Sequence, residues 1–103
     1  MNISTEELSL RILRAYPKYT DVTAYNIATD LLKNAPASLE PAMRAWIDGK
    51  PLPDNTGEKY PVSKILKLRG SNDYIEAFKL YIAYFKNPAE GEAMIWSPSR
   101  MLR

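Results

Sequence analysis

Proline and glycine interrupt this chain so often that no regular element runs far, and between the interruptions apolar residues recur at helical spacing. Alternation with a period of two is slight throughout. The punctuation therefore marks helix ends, and only residues 49–61 leave room for a short extended excursion or a small hairpin. Ser4 and Glu7 have capping-box spacing ahead of Leu8, Ile12, Leu13 and Ala15, and Pro17 closes that segment by excluding its predecessor from the α region. A second helix is expected over about 22–33, with a stripe of Ala24, Ile27, Ala28, Leu31 and Leu32. Ser38 offers an N-cap for a third, with Pro41 in its first turn and Gly49 as its stop.

Residues 49–61 carry three prolines and the turn signal Asp54-Asn55-Thr56-Gly57, which predicts an irregular loop. Pro61 then opens a short helix over 62–69, ended by Gly70. Ser71, Asn72 and Asp73 supply caps for the longest helix, reaching Lys86, with Tyr74, Ile75, Ala77, Phe78, Tyr81, Ile82, Tyr84 and Phe85 on its apolar half. So wide an aromatic face needs neighbours on more than one side. Asn87-Pro88 begins a last helix to about Trp96, weakened at Gly91 by about 1 kcal/mol relative to alanine.

At 103 residues the chain can bury roughly two-thirds of its unfolded surface, enough for a modest core. The sequence thus predicts a compact, all-α single domain over residues 1–96. About five or six short helices surround a central helix at about 72–86, with one longer loop at 49–61 and a tail at 97–103. No segment approaches the roughly 20 apolar residues that cross a bilayer, and no signal-peptide stretch stands near the start. A soluble, cytoplasmic protein without a membrane partner is the expectation.

Chemistry is constrained by what is missing. With no cysteine and no histidine, the composition excludes disulfides, thiol nucleophiles, imidazole acid–base catalysis and an ordinary zinc site. The glycines are isolated, so no phosphate-cradling loop exists. Among the neighbouring carboxylates Glu6/Glu7, Asp73/Glu76 and Glu90/Glu92, only Asp73 and Glu76 have a spacing that converges on a helix, and they also suit a helix N-terminus. These absences predict a protein that is not an enzyme and holds no cofactor or metal.

Binding remains. Residues 1–50 balance six basic against six acidic groups, so the net charge of +2 arises in the second half. There Lys59, Tyr60, Lys64, Lys67 and Arg69 form a basic edge, with Lys64 and Lys67 three apart on one helix face. This edge predicts a contact with a protein partner and a role as a small regulator or inhibitor of a larger target. The alternative is nucleic acid, because residues 62–86 resemble a helix-turn-helix: short helix, glycine turn, amphipathic helix, with Ser71, Asn72 and Asp73 near base edges. Against it, the would-be recognition helix sets Asp73 and Glu76 against Lys79 and Lys86, which leaves no basic face for phosphates.

Overall fold

The computed structural model of the protein describes residues 2–53 and 59–96. The turn signal at 54–57 and the tail at 97–103 lie outside them. The fold is all-α: six α-helices and one 3-10 turn, with no strand among the described residues. The chain gathers into two compact units whose boundary falls between Pro51 and Leu52, inside the proline-rich stretch.

In the first unit, α1 (Thr5–Ala15) starts where Ser4 Oγ accepts from the Glu7 amide at 3.1 Å. Helix α2 (Asp21–Asn34) starts at Thr20, a cap that accepts from the Thr23 amide at 3.1 Å. Leu8 and Ile12 of α1, and Ala24, Ala28 and Leu31 of α2, are fully buried, and the two small alanines one turn apart let the helix backbones approach. Ala15, expected on the apolar face of α1, is exposed.

The third segment departs from expectation at its start. Ser38 is not a cap. The chain first makes a 3-10 turn over Ala37–Leu39, closed by the Leu39 amide on the Pro36 carbonyl at 3.0 Å, and only then enters α3 (Glu40–Ile47). Ser38 Oγ ends up buried with no hydrogen-bond partner among the described residues. Trp46 of α3 is buried with Arg11 of α1 over its ring, the guanidinium carbon 5.6 Å from the centroid. Gly49, at φ 68°, ends α3, with its amide on Trp46 O and the Lys50 amide on Ala45 O, the paired bonds of a left-handed helix stop.

The second unit holds α4 (Val62–Arg69), α5 (Tyr74–Lys86) and α6 (Pro88–Trp96). Helix α5 packs against both of the others and is central within this unit. Ile75, Ala77, Phe78, Leu80, Tyr81 and Ile82 are buried, whereas Phe85 is 42% exposed despite lying in the expected apolar half. Asp73 Oδ1 caps α5 by accepting from the Glu76 amide at 3.1 Å, and Asn87 Oδ1 caps α6 by accepting from the Glu90 amide at 3.4 Å. Gly91 marks the crossing of α5 and α6: a Cβ built there stands 2.2 Å from Tyr84 Cα. Glycine is required at that position by backbone proximity and not by an unusual φ.

Among the described residues no helix is long and apolar enough to cross a membrane.

Candidate functional site

Gly70 shapes the site. At φ 60° it reverses the chain after α4, with its own amide on Lys67 O at 3.3 Å and the Ser71 amide on Leu66 O at 3.2 Å. That turn folds Ser71 and Asn72 back beside the helix. Between them and α4 runs an open groove of about 750 Å³, lined by Pro61, Ser63, Lys64, Leu66, Lys67, Gly70, Ser71 and Asn72.

No carboxylate lines this groove among the described residues. The nearest acid in sequence, Asp73, is engaged at the start of α5. Lys64 and Lys67 are exposed, and neither makes an ion pair with a described residue. Ser71 Oγ accepts from the Asp73 amide at 3.0 Å, which leaves its hydroxyl proton available to a ligand. The groove therefore offers two ammonium groups, two hydroxyls and an amide beside half-buried Leu66, with buried Pro61 at its edge.

The five residues of the expected basic edge separate into two groups. Lys59, Lys64 and Lys67 are at the surface; Tyr60 and Arg69 are turned inward. The Arg69 side chain is only 6% exposed, and its guanidinium bridges two helices, donating from Nη1 to Met94 O at 3.0 Å and from Nη2 to Glu76 Oε1 at 3.1 Å. Tyr60 donates from its hydroxyl to Glu92 Oε1 at 2.9 Å and accepts from Trp96 Nε1 at 3.0 Å. Its ring meets those of Tyr84 and Trp96 edge-on. Both residues hold the unit together from within.

Lys59 stands apart from the groove lining and is engaged with α6, its Nζ 3.4 Å from Glu92 Oε2. The Tyr60 hydroxyl, opposed by partial burial and helped by the Lys59 charge, holds the Glu92 carboxyl below its usual range. The hydrogen bond and charge of Glu92 raise the Lys59 ammonium above its own. Of the lining residues, the sequence points to Ser71 and Asn72 only through the helix-turn-helix likeness, which sets them near base edges, and it does not point to Ser63 or Leu66. A local signal for Ser71 and Asn72 was present, since a glycine stop followed by Ser-Asn folds short polar side chains back onto the preceding helix.

The carboxylates Asp73 and Glu76 do not converge on a free space: one caps α5, the other pairs with Arg69. Among the described residues no three acidic side chains gather as a metal would need. Comparison with protein-family models, with curated proteins and with solved structures gives no match.

Proposed function

We propose that this chain is a non-catalytic, cytoplasmic protein-interaction module, a small regulator or inhibitor that meets an acidic surface of a larger target through the α4 groove. One observation carries the reading: two lysines with no acidic partner among the described residues line a groove that no described carboxylate lines. A run of donors uninterrupted by acid favours an anionic partner and disfavours a basic one.

Nucleic acid is the second reading, favoured by the order α4, left-handed glycine turn, α5. Helix α5 supports it poorly, because six of its residues are buried and its N-cap and first turn carry Asp73 and Glu76.

The test is a titration of the isotope-labelled protein with poly-glutamate and, separately, with a DNA duplex, followed by backbone amide shifts. Poly-glutamate is expected to move the amides of Ser63, Lys64, Lys67, Ser71 and Asn72. The double variant Lys64→Glu/Lys67→Glu is expected to abolish the effect with helicity unchanged. Shifts at these amides with DNA alone would replace the first reading with the second, and silence with both polymers would end both.

A further inference from the structure

We infer that the α4 groove takes an extended acidic peptide segment in which two carboxylates stand two residues apart, in the order acid-x-acid. This deepens the proposed function and rests on it.

The spacing comes first. Lys64 and Lys67 are one helical turn apart, which sets their Cβ atoms about 5–6 Å from each other. In an extended chain, side chains on one side recur every second residue, about 6.6–6.8 Å along the strand. Flexible lysine stems absorb the small difference. Adjacent acids on an extended chain point to opposite sides, so only one of them faces the lysines.

The remaining lining residues select the backbone form of the partner. Ser63, Ser71 and Asn72 combine hydroxyl donors with an amide that both donates and accepts. A helical partner has already used its N–H and C=O groups along its own axis and leaves these side chains nothing to bind beyond its side chains. An extended partner leaves its peptide groups free, and each requires a hydrogen bond when water is displaced. Half-buried Leu66 supplies apolar contact without demanding a large side chain from the ligand. The absence of arginine from the lining fits two separate carboxylates, each meeting one ammonium, better than a single anion gripped by a planar fork.

The experiment uses the full chain and four short labelled peptides of equal length, followed by fluorescence anisotropy at low ionic strength. They carry Glu-Thr-Glu, the adjacent arrangement Glu-Glu-Thr, the neutral Gln-Thr-Gln, and glutamates one turn apart in a helix-stabilised sequence. The Glu-Thr-Glu peptide is expected to bind about five-fold more tightly than the adjacent arrangement, the scale set by one exposed ion pair. The single variants Lys64→Gln and Lys67→Gln, both at exposed positions, are each expected to erase that advantage.

Equal affinity for the two acidic orders, or tighter binding of the helical peptide, overturns the inference while leaving the proposed function standing, provided poly-glutamate still moves the groove amides. Equal binding of the neutral Gln-Thr-Gln peptide also overturns it, since the two carboxylates would then contribute nothing. Loss of poly-glutamate binding removes the proposed function itself, so the two failures are told apart.

Discussion

At Gly91 the difference between hydrogen and methyl decides whether α5 and α6 can cross. An alanine methyl would fall within 3 Å of Tyr84 Cα, N and Cβ, and a backbone neighbour cannot swing aside as a side chain does. Gly91→Ala is therefore expected to destabilise the protein by about 3 kcal/mol, the upper end of overpacking costs, even though alanine is the better helix former. Urea unfolding monitored by circular dichroism checks it. Gly70→Ala is the contrasting case, because open space surrounds that position and only the left-handed backbone objects. Its cost is expected to be about 1–2 kcal/mol. Phe78, fully buried on α5, is expected to cost about 3–5 kcal/mol on truncation to alanine in the same measurement. Arg69 is subtler: Arg69→Lys keeps the charge but has one ammonium where the guanidinium reaches Glu76 and the Met94 carbonyl in different directions. The conservative change is expected to restore little of the stability lost in Arg69→Ala.

Helix ends were the most legible elements, because their chemistry is local. Ser4, Asp73 and Asn87 cap with side chains that reach amides three residues on, and Gly49 and Gly70 stop their helices at positive φ. Ser38 has the same chemical character as those caps and does not cap. A 3-10 turn closing on Pro36 places it one turn too early, and only the packing of that segment decides between the two starts. Phe85 and Tyr60 show the same limit from the other side. Periodicity places Phe85 on the apolar half of α5, yet no described neighbour covers its edge fully, and a tyrosine set among lysines lies buried because its hydroxyl meets Glu92 and Trp96 from α6. Tertiary partners at a separation of more than thirty residues leave no local trace.

That tie between the 59–60 segment and α6 makes its own pH prediction. Glu92 titrates lower in the folded protein than in the unfolded chain, so its contribution is present above about pH 4 and is lost as pH falls through the depressed folded value. Lys59 is raised, so its share holds below about pH 10 and fades as pH rises through the folded value. The indole N–H resonance of Trp96, distinct from that of Trp46, is expected to shift as acid releases Tyr60 from Glu92. Tyr60→Phe is expected to reduce that acid-dependent shift, the remainder coming from the direct hydrogen bond of the Trp96 indole to the Glu92 carboxylate.

Across the whole molecule, charge is divided unevenly, and the division bounds what a polyanion can do. Residues 1–50 carry equal numbers of acids and bases, and the +2 excess comes from the remainder. So small an excess generates a weak long-range field, and association must depend on short-range complementarity in the groove instead of steering from a distance. If duplex DNA engages Lys64 and Lys67 alone, it releases about two counterions, and the logarithm of the binding constant is expected to fall against the logarithm of salt with a slope of about −2. A dedicated DNA-binding domain neutralises several times as many phosphates and shows a proportionately steeper slope. Measuring that slope, with amide shifts recorded at each salt concentration, therefore separates the two readings of this protein. A shallow slope with shifts confined to 61–72 fits two lysines acting as a local anion contact. A steep slope, accompanied by shifts along α5 at Lys79 and Lys86, would mean that the second helix takes part as a nucleic-acid reader would use it.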